Sequence, residues 1–393
     1  MQEYLSAAQQ IKSQILSHRR TLHQHPEVGS HLPRTTEYVA KQLTALGYTP
    51  VSIFDSGIVA TVTGKDTGRC ILLRADMDAL NIREETGLPF ASENGAMHAC
   101  GHDMHTAMLL GAASLLQIYR NRLEGTVKLV FQPDEEGFTG AKKMIASGVL
   151  DNPTPQAGLA LHIHSGTPSG TLLYGKNTFM AGCSVFRITV TGASCHGAMP
   201  ETGVDPIQIA AHIHTALQGI LSREISPKTP ISLTVGKFTA GTGANIIPQS
   251  AVMEGTLRTF DQHLTTWVLK RMEDIANYTA QAFRGSARVE VLADAPPLVN
   301  DPQLTQQMAG YCGDLLGVDR IIHLTEGGMG SEDFASFTHK IPCAYLLLGA
   351  GTSEENPLFG KAMHNEQAIF NEEILSLGAA IEAYCAIQWL KKQ

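Results

Sequence analysis

The spacing of apolar and polar positions divides the chain into segments of different period. An amphipathic run over residues 2–18 predicts a helix, and so does a second over 35–46, preceded by Pro33 and stopped by Gly47. The short apolar runs 57–62, 70–74 and 127–131 predict strands. Small and apolar residues from Thr106 to about Tyr119 predict a helix between the last two, and 158–163 predicts a further strand. Strands alternating with helices argue for an α/β sheet with helices on both faces.

The pattern changes near residue 182. Residues 183–191 (CSVFRITVT) alternate as a half-buried strand does. A helix over about 206–223 follows, then strands at 232–238 and 249–259, a long helix over about 264–283 and a strand near 287–292. This strand–helix–strand–strand–helix–strand order predicts a small antiparallel sheet with two helices, of ferredoxin-like type. After Pro296 the α/β character returns, with a strand at 344–348 and a closing helix from about Glu372. The fold class is therefore α/β with two domains. A discontinuous domain over 1–182 and 297–393 is interrupted by an inserted α+β domain over 183–296.

Composition narrows the partners. The length of 393 residues suits two or three domains. Hydrophobic residues make up 43% and charged residues 17%, which excludes a disordered chain. Lys+Arg 29 against Asp+Glu 37 gives a net charge of −8, which argues against a nucleic-acid partner. No apolar run is long enough to predict a membrane span, and the polar N-terminus lacks the apolar core of a signal peptide. The seven scattered cysteines do not form a disulfide framework, so a reducing cytoplasm is the expected location.

Histidine clustering brings in the chemistry. Met97-His98-Ala99-Cys100-Gly101-His102-Asp103-Met104-His105 is the densest signal, because thiolate and imidazole are standard ligands for zinc-like metals. A histidine-rich turn with a buried inert cysteine is the other reading. The acidic run Asp134-Glu135-Glu136 follows a predicted buried strand, where ligands sit in open α/β sheets. Three adjacent acids repel one another unless a cation neutralises them, although a solvated acidic turn also fits. Leu161-His162-Ile163-His164 and Met363-His364-Asn365 are individually weak. Together, one Cys, several His and paired Glu at strand ends reach the ligand count of a two-metal site. In the inserted domain, residues 192–207 form a strand-to-helix turn that carries His196.

These motifs resemble the aminoacylase/hippurate hydrolase branch of the aminoacylase–carboxypeptidase metallopeptidase family. The matching segments are RADMDAL (74–80), HACGHDMHTAML (98–109), FQPDEEG (131–137), LH (161–162), GASCHGAMPETGVDPI (192–207), GTGANIIP (241–248), GTLRTF (255–260), GMGSEDFA (328–335) and MHNE (363–366). They run from end to end in the family's order. The resemblance implies a zinc-exopeptidase-like catalytic domain with a lid or dimerisation domain inserted.

It also implies two divalent ions per subunit, zinc or manganese first and nickel or cobalt next. Cys100 would bridge them, with His102, Glu136, His162 and His364 completing the ligand set. Glu135 would be the general base for the attacking water, and His196 would reach the reacting carbonyl, from a partner subunit in dimeric relatives. Asn245 and Arg258 would bind the scissile carbonyl and the product carboxylate. The implied reaction is hydrolysis of an N-acyl amino acid to a carboxylic acid and a free amino acid by a homodimer. A dipeptidase or carboxypeptidase is the alternative, followed by a non-catalytic metal-binding relative. A thiol-redox role for Cys100 lacks a nearby resolving cysteine. The chain departs from the usual family pattern at Asn81, Asp134, His164-Ser165 and Asn365.

Overall fold

A computed structural model describes residues 1–391. The chain folds as two compact units, Met1–Phe179 with Val299–Gly327 and Glu332–Gln393, and Met180–Leu298 with Gly328–Ser331. Among the described residues, no helix is long and apolar enough to cross a membrane.

The first unit is built on a sheet of β1 (Val51–Ile53), β2 (Gly57–Thr63), β3 (Cys70–Asp76), β4 (Thr126–Gln132), β5 (Ala157–His164), β6 (Leu172–Tyr174), β15 (Ile321–His323) and β16 (Cys343–Gly349). Their spatial order is β1-β2-β4-β3-β5-β16-β6-β15. The central pairs β3–β4, β3–β5 and β5–β16 are parallel, and β2 and β6 run antiparallel to their inner neighbours. Every residue of β3 and β4 is buried, as expected for strands covered on both faces. Helices α1 (Gln2–Gln10), α2 (Lys12–His23), α3 (Pro33–Ala45), α4 (His102–Ile118), α5 (Gly140–Ala146), α8 (Pro302–Leu316), α9 (Ala335–Thr338) and α10 (Leu375–Lys391) complete this unit. Helices α4 and α10 are buried almost all round and pack on each other and on β3.

Two helix expectations change in this unit. The helix expected over 2–18 is two helices, broken at Ile11 (φ −100°, ψ 8°). No breaker residue stands there. The bend lets α1 lie on α10 while α2 lies on α4, a tertiary preference that local periodicity does not carry. The helix expected from Thr106 starts at His102. Gly101 precedes it at φ 85°, and a Cβ there would lie 2.3 Å from Ile163 Cδ1, so only glycine fits.

The chain enters and leaves the second unit through β7 (Asn177–Met180) and β14 (Leu298–Asn300). This unit has β8 (Gly182–Thr191), β10 (Ile231–Ala240), β12 (Ser250–Thr259) and β13 (Ser286–Ala295) in the order β10-β12-β8-β13, all pairs antiparallel. Counted along the chain, that order is four-one-three-two read from the β13 edge, the ferredoxin-like arrangement. Helices α6 (Pro206–Gly219) and α7 (Gln262–Ala282) cover one face, bringing Ile213 and Met272 into one core with Phe186, Ile188, Val190 and Met253 of the sheet. The expected helix end at Arg223 is instead a π turn over Ile220–Glu224. A short ribbon pairs β9 (Cys195–His196) with β11 (Ile246–Ile247).

Candidate metal centre

The carboxyl ends of β3, β4 and β5 converge on one place, the usual ligand position in an open parallel sheet. Beyond β3 the chain delivers Asp78, and then Cys100 and His102 at the start of α4. Beyond β4 it delivers Glu135 and Glu136, and His162 lies on β5 itself. His364 joins them from a loop, where its N–H donates to Ala99 O at 3.0 Å and its backbone is left-handed (φ 64°).

Donor atoms of Cys100, His102 and Glu136 all lie within 4.8 Å of one another. His102 Nε2 is 3.9 Å from Glu136 Oε1 and is buried without a hydrogen-bond partner. Glu136 Oε1 is also 3.2 Å from His364 Nε2, and Cys100 Sγ is 3.8 Å from His162 Nε2. The five residues expected as ligands are therefore brought together.

Backbone contacts set the imidazole tautomers. His102 Nδ1 donates to Asp78 O at 2.8 Å, and His162 Nδ1 donates to Ile163 O at 2.5 Å. Each therefore presents a Nε2 lone pair to the centre. His105 lies close to Asp76, His102 and His162, but both of its nitrogens are used. Its Nδ1 donates to Asp76 Oδ1 at 2.6 Å and its Nε2 accepts from Ile163 N–H at 2.9 Å, so it supports β5 and is no ligand.

The electrostatics fit cations. Asp76, Asp78, Glu135, Glu332 and Asp333 are all buried, and Arg74 is the buried guanidinium among them. Such an excess of carboxylate is costly unless positive charge enters. Burial pushes the Cys100 thiol up to about 12, so a thiolate there requires a cation beside it. Burial also pushes Glu135 well above the usual carboxylate range, with Glu332, Glu136 and Asp333 adding to the effect. Burial acts on Glu136 too, but His364 and His102 outweigh it and hold that carboxyl low. The two adjacent glutamates thus differ in environment.

Several residues quoted in the motifs but given no role prove to organise the centre. Asp78 accepts from Glu135 N–H at 3.0 Å through Oδ1 and from Glu136 N–H at 3.1 Å through Oδ2. Arg74 donates to Asp76 Oδ2 at 2.6 Å, Glu332 Oε1 at 2.9 Å, Asp333 Oδ1 at 3.0 Å and Gln132 Oε1 at 2.9 Å. The available signal was charge inside an apolar strand, at Arg74 and Asp76 of RADMDAL. The departures from the family pattern lie aside from the ligand atoms. Asp134 turns to accept from Thr139 Oγ1, His164 pairs with Thr167 Oγ1, and Asn365 accepts from Gln367 N–H. Asn81 is exposed.

In the second unit, His196 pairs with Ile246, and Gly197 N–H donates to Asn245 O at 2.8 Å, so His196 and Asn245 are neighbours. His196 Nδ1 accepts from Ala198 N–H at 3.0 Å, which leaves the proton on Nε2 of an exposed ring. Arg258 stands on β12, where its Nη1 donates to Met329 O and Ser331 Oγ, both at 3.0 Å. It is thus tied to the loop 328–331.

The model of peptidase family M20/M25/M40 matches residues 72–388. Thermostable carboxypeptidase 1 of Saccharolobus solfataricus is 34% identical over 98% of this chain and 97% of its own length. IAA-amino acid hydrolase ILR1-like 2 of Arabidopsis thaliana is 37% identical over 95% of this chain and 85% of its own. The structure of a Bacillus subtilis protein described as a dinuclear metal binding peptidase of the M20 family superposes with a TM-score of 0.80. It is 32% identical and covers 98% of this chain and all of its own. The chain belongs to peptidase family M20/M25/M40 and is a hydrolase of amide bonds.

Proposed function

We propose that this protein is a two-metal amidohydrolase that cleaves N-acyl amino acids, hippurate-like or aliphatic, to a carboxylic acid and a free amino acid. The observation that carries the reading is the contrast between adjacent glutamates. Glu136 joins the donor set of Cys100, His102, His162 and His364, while Glu135 stands beside that set with its Oε2 3.9 Å from His102 Nε2. Two divalent ions held by those five residues would polarise the scissile carbonyl and make water a stronger acid.

Glu135 takes a proton from the attacking water and later gives it to the leaving nitrogen. The water oxygen bonds to the acyl carbon, the C–N bond breaks, and the proton ends on the amine. The raised affinity of Glu135 for protons suits a group that must both take and return one. His196, with its proton on Nε2, donates to the carbonyl oxygen as negative charge develops there. Asn245 assists it, and Arg258 reads the carboxylate of the amino-acid half. In this reading the enzyme is a homodimer and His196 serves the neighbouring subunit.

The full-length similarity to a carboxypeptidase supports a second reading, cleavage of dipeptides or peptide C-termini. Turnover of a panel of N-acetyl, N-benzoyl and longer N-acyl amino acids beside matched dipeptides separates the two. A kcat/KM higher for dipeptides throughout would sink the acyl-amino-acid assignment.

A further inference from the structure

The loop that carries Glu135 and Glu136 leaves β4 at Gln132 and rejoins regular structure at α5. Its neck is closed, because a Cβ on Gly140 would lie 1.7 Å from Pro133 O. One side chain joins the two sides of that neck. Asp333 is fully buried; its Oδ1 accepts from Gln132 Nε2 at 2.6 Å and its Oδ2 accepts from Ala141 N–H at 2.8 Å. Arg74 completes the arrangement. Its Nη2 donates to Asp333 Oδ1 at 3.0 Å, and its Nε donates to Gln132 Oε1 at 2.9 Å. That second bond orients the Gln132 amide with its NH2 group toward Asp333.

The same residue reaches the carboxylate between those anchors. Asp333 N–H donates to Glu135 Oε1 at 3.3 Å. This bond occupies one carboxylate oxygen and leaves Oε2 on the side of His102. We infer that Asp333 is a positioning residue for the reaction: its side chain clasps the catalytic loop at both ends, and its backbone N–H selects which oxygen of Glu135 handles the proton. The inference rests on the reading of Glu135 as the base.

A double-mutant cycle on the metal-loaded enzyme tests it, with kcat, KM, bound metal and thermal unfolding measured for each variant. Asp333→Ala should lower kcat about 10- to 100-fold, as expected when a reacting group loses its aim. KM and metal content should stay within about twofold of wild type. Asp333→Asn keeps an acceptor at one end only, because its NH2 group meets an N–H donor at the other, and should recover part of that loss. In the Glu135→Gln background, Asp333→Ala should cost less than about twofold, because the group it aims is already disabled. Gln132→Met, which removes one anchor and leaves Asp333 in place, should show the same non-additivity and serves if Asp333→Ala fails to fold. Losses that multiply across the cycle, or a kcat loss that tracks lost metal, would overturn the positioning role and leave Glu135 as the base. A near wild-type Glu135→Gln would overturn both.

Discussion

His102 Nε2 and Glu136 Oε1 face each other across 3.9 Å of protein interior; the imidazole nitrogen has no hydrogen-bond partner, and the carboxylate oxygen has only His364 Nε2 at 3.2 Å. A buried imidazole nitrogen left without a partner would cost about 1–3 kcal/mol. The orientation of both groups is enforced from behind. Asp78 O fixes the imidazole tautomer, and the Asp78 carboxylate holds the backbone of Glu136. A divalent cation held by His102 and Glu136 would supply what both groups lack.

Metal removal should therefore reduce stability as well as activity. Chelation followed by gel filtration should abolish turnover and lower the melting temperature. Adding zinc or manganese should restore both. A ligand at 100-fold its Kd stabilises the folded state by about 2.7 kcal/mol. Differential scanning fluorimetry with parallel assays checks this, and an unchanged melting temperature with full activity after chelation would refute it.

The neighbouring glutamates should fail in different ways. Glu135→Gln is expected to keep its metal and lose about 10²–10⁴-fold in kcat, since a proton acceptor is removed and no ligand is. Glu136→Gln is expected to weaken metal binding first, with activity partly recovered at high metal concentration. Plasma emission spectrometry and steady-state kinetics on both proteins distinguish them. Equal metal contents with equal kinetic losses would show that the roles are assigned wrongly.

In the second unit, His196→Ala should lower kcat with unchanged metal content, by roughly the 2.7–4 kcal/mol found for an oxyanion donor. Arg258 should behave as a reader of carboxylate. Amidating the substrate's α-carboxylate should cost the wild type far more than it costs Arg258→Ala, because the two changes remove one shared contact. The Arg258 bonds to Met329 O and Ser331 Oγ offer a purely architectural role instead. Under that role, amidation would cost both proteins equally.

Stability should fall with mild acid through His18. This residue is buried, its Nδ1 lies 2.9 Å from Tyr38 Oη, and burial pushes its pKa down to about 4. The folded state therefore keeps the ring neutral while the unfolded chain takes up a proton near pH 6.5. Its contribution is intact above pH 6.5 and is lost progressively toward pH 4, by on the order of 1–3 kcal/mol. Denaturant titrations at pH 7.5 and 5.0 on wild type and His18→Gln should show a smaller pH difference in the variant. Identical differences would exclude His18 as a source of acid sensitivity.

Local pattern determined much of the architecture. Short, mostly apolar runs marked β3, β4, β5 and β16, because strands buried on both faces need no regular polar side. Period-two alternation marked β8, which has one covered face. Residue chemistry likewise marked the segments around Cys100, Glu136, His162 and His364 as candidates, since thiol, imidazole and carboxylate are the groups that bind borderline metals, and the family resemblance picked individual residues from them. Residue chemistry alone does not separate His102 from His105, which stand three apart in one helix turn; the resemblance named His102, and the tertiary structure gives the physical reason. One presents a free Nε2 and the other spends both nitrogens on Asp76 and Ile163. Only tertiary structure decided the bend at Ile11 and the place of Asp333, which meets Gln132 and Ala141 from about 200 residues away. Periodicity and motif report what a segment can do by itself. A tautomer, a helix bend and a long-range clasp depend on which partner the rest of the fold places opposite.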